Sequence, residues 1–188
     1  MAEPTELRTE RLLLRPWSLD DAEDMLAYSQ DEEMARYIPG VSQPFTRSDA
    51  EQFVAQRILK SWDTSPQFAI VLSSNVIGGI GLDIDVDNAI WDLAYGIAMA
   101  HWGKGLTTEA AQAVTDWGFK EYGLEKVLAI ADLRNKGLWR VMEKLGLTRE
   151  GVLRSVTQAR DGSRSDKVYY GVLRSEWEAA HDLGTGPN

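Results

Sequence analysis

The sequence predicts one α/β domain. Three observations carry that expectation. The 188 residues are 44% hydrophobic and 26% charged, the proportions of an ordinary globular chain. Short apolar runs of strand type are interspersed with longer segments whose apolar residues recur at helical spacing. No internal repeat and no linker-like stretch divides them, so the domain is expected over residues 1–188, with its core at about 7–178 and a flexible tail at 182–188.

The elements follow in chain order. Leu-Arg-Thr-Glu-Arg-Leu-Leu-Leu-Arg at 7–15 reads as a first strand ending at Pro16. Ser18 with Asp21 is a capping pattern, in which hydroxyl and carboxylate satisfy each other's backbone amides, so 18–28 is expected as helix. A second helical piece is expected from Asp31 to Tyr37. Thr46 and Asp49 repeat the capping pattern, with helix to about Trp62. Strands are expected at 67–73, from Val76 to Ile84 after a turn at Asn75, and from Trp91 to Met99 after a turn at Asp87 and Asn88. Ala110, Ala113, Val114 and Trp117 share one face of a helix from Thr107 to Tyr122, stopped by Gly123. Val127 to Ala131 is a short, wholly apolar strand of the buried kind. Asn135 to Leu145 is helix, stopped by Gly146. Strands near 150–158 and 166–173 close the domain, joined by a turn at Arg160, Asp161 and Gly162.

Composition narrows the function. Lys plus Arg number 20 and Asp plus Glu 29, a net charge of −9. So acidic a chain is a poor generic partner for nucleic acid or an anionic membrane. Cysteine is absent, which removes disulfide frameworks, thiol nucleophiles and cysteine-ligated metals. His101 and His181 are the two histidines, so a histidine-rich metal site is excluded and no metal is expected. No apolar run approaches the ~18 residues of a membrane span, and the acidic N-terminus lacks the apolar stretch of a signal peptide. A cytoplasmic protein is the expectation. Charge is also uneven. No Lys or Arg falls between Lys60 and Lys104, whereas 134–174 is rich in both. Such a division suits one cationic and one anionic ligand, or two solvated faces.

The segment Trp-Gly-Lys-Gly-Leu-Thr-Thr-Glu at 102–109 lies between a predicted strand and a predicted amphipathic helix. Glycines there let backbone approach a ligand. The helix start offers unpaired amides and the positive end of the dipole, and Lys104 adds a cation. The helix dipole alone is worth ~0.3–2 kcal/mol, so several amides must act together on a phosphate. A dinucleotide fingerprint lacks its third glycine, because position 108 is Thr, and the Walker pattern fails because Gly follows Lys104.

With these residues the chain resembles a GCN5-related N-acetyltransferase, in the branch of ribosomal-protein N-terminal acetyltransferases. The resemblance covers about 7–178. It rests on the opening Leu-Arg-Thr-Glu-Arg-Leu-Leu-Leu-Arg-Pro, on Val76-Ile-Gly-Gly-Ile-Gly-Leu82, and on Tyr95 to Ala110. Asn135 with Glu143-Lys-Leu-Gly-Leu147, and Tyr169 to Trp177, complete it in order. The resemblance implies a mixed, mostly antiparallel sheet of six or seven strands with helices on both faces, splayed near 97–99 and 127–131. It implies acetyl transfer from acetyl-CoA to a primary amine, either a protein N-terminus or a small-molecule amine, by a monomer or homodimer. The alternative is a non-catalytic acyl-CoA-binding module.

The implied roles run as follows. Trp102, Gly105 and Thr107 fill the slots of the family's pyrophosphate loop, with Gly105 alone in strict form. Backbone amides of Gly103, Lys104, Gly105, Leu106, Thr107 and Thr108 hold the pyrophosphate. Ile97, Ala98 and Met99 pair their backbone with the pantetheine arm, and Asn135 hydrogen-bonds it. The amide of Ile97 meets the developing oxyanion, a contribution typically worth ~3–4 kcal/mol. Asp92 takes the proton from the amine, directly or through water; a solvated strand position is the competing reading. Leu138 and Met142 stand where relatives carry a hydroxyl acid for the departing thiolate. Asp83, Asp85 and Asp87 alternate and share a strand face. Tyr95, Trp102 and Trp139 suit a groove wall or the core, and Glu109 a brace for its helix. Arg134, Lys136 and Arg140 suit a 3′-phosphate or a solvated face.

Overall fold

A computed structural model describes residues 2–30, 44–85, 87–158 and 162–182. The helix expected from Asp31 to Tyr37, Arg160 and Asp161 of the expected turn, and residues 183–188 of the tail expected at 182–188 lie outside them, whereas Asp182 ends a helix. The chain divides into two compact units, one of Met1–Asp83 with Ala94–Val114, the other of Ile84–Leu93 with Thr115–Asn188.

The first unit opens on two short strands, β1 (Leu7–Arg8) and β2 (Leu13–Pro16), rather than the single strand expected over 7–15. The break is local chemistry. The Thr9 amide donates to the Leu12 carbonyl at 3.0 Å and the Thr9 hydroxyl accepts from the Leu12 amide at 3.0 Å, a turn that reverses the chain. The Ser18–Asp21 box forms as expected. It starts with a 3-10 turn, Leu19–Asp21, and passes into α1 (Ala22–Ser29). Arg15 grips the buried Asp21 with two nitrogens at 2.8 and 2.7 Å. The Thr46–Asp49 box starts α2 (Arg47–Ile58), which stops short of Trp62. Strands β3 (Gln67–Leu72) and β4 (Asn75–Asp85) form an antiparallel hairpin. Its turn is made by Ser73 and Ser74, both at positive φ. In this unit the order is β1-β2-β3-β4. Trp17, Met25, Val54, Ala69, Val71 and Val76 form its core, each large side chain worth roughly 1.5–3 kcal/mol when fully buried. The unit also holds the end of β5 (Ile90–Ile97) and the start of α3 (Leu106–Tyr122).

In the second unit the start of β5 runs parallel to β6 (Lys126–Asp132) through three pairs, from Ile90 with Lys126 to Asp92 with Leu128. β6 pairs antiparallel with β8 (Arg164–Leu173), which pairs with β7 (Thr148–Gln158). The order is β5-β6-β8-β7. β6 alternates buried and half-buried residues, so it is less enclosed than its apolar sequence suggests. Between β6 and β7 stands α4 (Lys136–Lys144). A helix not read from the sequence, α5 (Arg174–Asp182), follows β8. Trp91 is fully buried and meets Tyr122 edge-on at 4.5 Å. Arg174 closes the end of α3, donating to the carbonyls of Leu124 and Phe119 at 2.5 and 2.8 Å. The described residues thus contain eight strands, where six or seven were expected, because the opening strand is two and β4 to β8 each form.

Candidate active site

In the first unit β5 ends at Ile97, and Met99 opens a 3-10 turn, Met99–His101, instead of extending the strand. The Ala98 amide donates to the Ile77 carbonyl at 2.7 Å. Gly78 makes this approach possible, since a Cβ there would strike the Gly96 carbonyl and lie 2.8 Å from Ile97 Cα. The carbonyls of residues 97–99 are all engaged. Ile97 accepts from the Trp102 indole at 2.8 Å, Ala98 from the His101 amide and Met99 from the Trp102 amide at 2.9 and 3.0 Å. Trp102 is thereby a brace for the turn, although the residue is 45% exposed. His101 is half-buried and its Nδ1 is enclosed without a partner.

The chain then turns through Gly103 at φ +74° and Gly105 at φ +78°. Both lie in the left-handed region that a side chain disfavours. Nothing lies within 4 Å of a Cβ built at Gly103, and Lys104 between them is exposed. The Glu109 amide bonds to the Gly105 carbonyl at 3.0 Å. The amides of Leu106, Thr107 and Thr108 precede that bond, so they belong to the set a helix start leaves without internal partners. Two left-handed glycines, a cation and a helix N-terminus make a cradle for a phosphate-sized anion.

Glu109 faces the opening strands. It accepts from the Thr9 hydroxyl at 2.5 Å, the Arg11 amide at 2.9 Å and Arg11 Nε at 2.6 Å. Burial pushes its carboxyl upward, but the hydrogen bonds from Thr9 and Arg11 outweigh burial and hold it below the usual range. Arg11 also donates to the Lys104 carbonyl at 3.0 Å. Neither Thr9 nor Arg11 carries a local signal of this contact, since Glu109 is 98 residues beyond Arg11. Tyr95 is half-buried and its phenol is pushed well above its ordinary value by burial.

The other two expected residues stand in the second unit. Asp92 is exposed on β5 between the buried Trp91 and Leu93, so it points to the face opposite the Trp91 ring. Asn135 caps α4, its Oδ1 accepting the Leu138 amide at 3.1 Å. Leu138 is half-buried and Met142 is core. Arg134 is held by Asp132, with Nε and one terminal nitrogen each 3.0 Å from its carboxylate. Those bonds hold the Asp132 carboxyl well below the ordinary range, reinforced by Ser165 and opposed by burial. Lys136 and Arg140 are exposed, and the Trp139 indole donates to the Leu133 carbonyl at 3.2 Å. Of the alternating acids, Asp83 accepts from Lys60 at 3.3 Å and from Ser65, and Asp85 accepts from the Asn88 amide and side chain at 3.2 and 2.7 Å. Among the described residues no group of three or more acidic, imidazole or thiol side chains is placed to hold a metal. None of their helices is long and apolar enough to cross a membrane.

The chain matches the family model for an acetyltransferase (GNAT) domain over residues 11–148. It is 30% identical over 174 residues to the uncharacterized N-acetyltransferase YnaD of Bacillus subtilis (strain 168), covering 91% of this chain and 98% of that one. It is 31% identical over 176 residues to the uncharacterized N-acetyltransferase p20 of Bacillus licheniformis, covering 91% and 97%. Its fold superimposes on the crystal structure of a GNAT-family acetyltransferase from Bacillus anthracis with a TM-score of 0.82 and 28% identity, covering 92% of this chain and 100% of the other.

Proposed function

The chain belongs to the acetyltransferase (GNAT) family and is an acetyl-CoA-dependent N-acetyltransferase, and from that premise we propose that it acetylates a primary amine by direct attack in a ternary complex. The acceptor is a protein N-terminus or a small-molecule amine. The domain of this reading is the whole of residues 1–188.

The observation that carries the reading is the 103–105 turn, whose two left-handed glycines and exposed Lys104 stand directly before α3. Acetyl-CoA supplies an activated thioester together with a pyrophosphate by which it is held. In this reading the amides of Gly103 to Thr108 bind the pyrophosphate. They do so through several modest contacts, because one helix dipole supplies only ~0.3–2 kcal/mol. Trp102 fixes the entry to the turn through the Ile97 carbonyl. With that carbonyl and those of Ala98 and Met99 engaged inside the chain, and the Ala98 amide engaged by the Ile77 carbonyl, the Ile97 and Met99 amides are the backbone groups of 97–99 assigned to the coenzyme. The Ile97 amide is assigned to the developing oxyanion, where a fixed donor acts without reorganising. Asn135 is assigned to the pantetheine through its side-chain NH₂, since its oxygen caps α4. Asp92 is assigned as the base; its short side chain and exposed position favour relay through a water molecule. Neither Leu138 nor Met142 provides an acid, so the thiolate leaves unprotonated or is protonated by solvent. A thiol of pKa ~8.5 makes that feasible near neutral pH.

Initial rates measured while both substrates vary test the ternary complex. Intersecting double-reciprocal lines are expected. Parallel lines, the mark of a covalent acetyl-enzyme, would contradict it.

A further inference from the structure

A carboxylate in the first turn of α3 poses a problem for an anion seat. The positive helix end that attracts a phosphate attracts a first-turn carboxylate just as well, and Glu109 lies one turn inside α3. Its carboxylate is instead turned wholly toward the opening strands. One oxygen accepts from the Thr9 hydroxyl and the Arg11 amide at 2.5 and 2.9 Å, and the other accepts from Arg11 Nε at 2.6 Å. A terminal Arg11 nitrogen also lies 2.6 Å from that second oxygen.

The remaining arm of the same guanidinium reaches the loop, donating to the Lys104 carbonyl at 3.0 Å. A Cβ built on Gly105 would lie 3.6 Å from Arg11, so the guanidinium lies directly beside the turn. The peptide between Lys104 and Gly105 is a plane with its C=O and N–H pointing in opposite directions. Fixing the Lys104 carbonyl on Arg11 therefore aims the Gly105 amide away from the nitrogen that holds that carbonyl. One side chain thus neutralises the competing anion and sets the direction of a loop amide.

We propose that Arg11 is a positioning residue for coenzyme binding, which with Thr9 holds Glu109 away from the phosphate seat and, through the Lys104 carbonyl, sets the direction of the Gly105 amide. The proposal rests on the reading of 103–108 as the pyrophosphate seat. Thr9 and Arg11 lie in the turn between β1 and β2, so the strands that open the chain set the shape of the loop.

Two readouts test it: the Kd for CoA by titration calorimetry, and kcat/KM with acetyl-CoA and with acetyl-pantetheine, which lacks the pyrophosphate. Arg11→Gln is expected to weaken CoA binding about tenfold, the scale of one charge-assisted hydrogen bond. It should lower the ratio of kcat/KM for acetyl-CoA over acetyl-pantetheine by the same factor. Arg11→Lys keeps the cation but not the two-armed reach, and its Kd is expected between wild type and Arg11→Gln. A folded Arg11→Gln with wild-type CoA affinity, or with equal losses on both acyl donors, overturns the proposal. Gly105→Glu separates the two levels. If it loses CoA while Arg11→Gln does not, the seat stands and the role of Arg11 falls. If it binds CoA normally, the seat itself is wrong. Should Arg11→Gln fail to fold, Thr9→Val removes one bond to Glu109 and is expected to show the same split, about two- to threefold in Kd; an unchanged Kd there overturns the proposal as well.

Discussion

Gly105 holds φ +78° beside the Arg11 guanidinium, and a side chain at this position meets both backbone strain and, in the proposed complex, the phosphates. Gly105→Glu adds a negative charge to those penalties. The thermal shift that CoA gives the wild-type protein is expected to vanish in this variant, and an unchanged shift would remove the site from 103–108. Asp92 asks a different question, since it stands on β5 in the second unit. Asp92→Asn is expected to lower kcat by ~10²–10⁴, the usual worth of a general base, and to leave the Kd for CoA unchanged. A variant at full speed makes Asp92 a solvated strand residue. The turn at 103–105 could be read from the sequence because Gly-Lys-Gly before an amphipathic run is a local pattern. The Arg11–Glu109 pair could not, because its partners come together only once β1, β2 and the start of α3 are in place.

Among the elements, those that start and stop on neighbouring residues were legible, and those fixed at a distance were not. Ser18 with Asp21 and Thr46 with Asp49 each form both bonds of their capping box. Gly123 and Gly146 end their helices at φ +62° and +75°. Ser73 and Ser74 take positive φ without being glycine, so the tight turn before β4 carries no strong signal. α5 was missed because distant partners fix it: the Trp177 indole donates to Asp116 at 2.6 Å and Arg174 reaches the end of α3. The entry to α4 makes a measurable prediction. The Asp132 carboxyl is held below its ordinary value, chiefly by Arg134. A depressed carboxyl contributes stability that is present above its unfolded pKa, about 3.9, and is lost as pH falls toward the folded value. The Arg134 side chain is 49% exposed, so solvent screening reduces the contribution to about 1 kcal/mol. Asp132→Asn is therefore expected to melt roughly 2–4 °C below wild type at pH 7, with the gap closing as the pH drops below about 4. A gap that does not narrow at all as the pH falls from about 5 to about 2 would show that the ion pair is not its source.

At the scale of the whole molecule, the net charge of −9 fits the function better than it fits any polyanion partner. An acidic surface raises the local concentration of a protonated amine, while in the proposed complex the anionic coenzyme is met by a small, local set of amides and Lys104. The family could be read from motifs in order along the chain because a shared fold preserves their order and spacing. The acceptor could not, since its binding surface is a matter of side-chain arrangement rather than of any motif. The most direct measurement is release of free CoA thiol from acetyl-CoA across a library of primary amines that includes peptides with free N-termini. Release that depends on one class of amine is expected, with acetyl found on that amine's nitrogen by mass spectrometry and the rate reduced by Asp92→Asn. Thiol release that no amine stimulates, with CoA still bound, would contradict it.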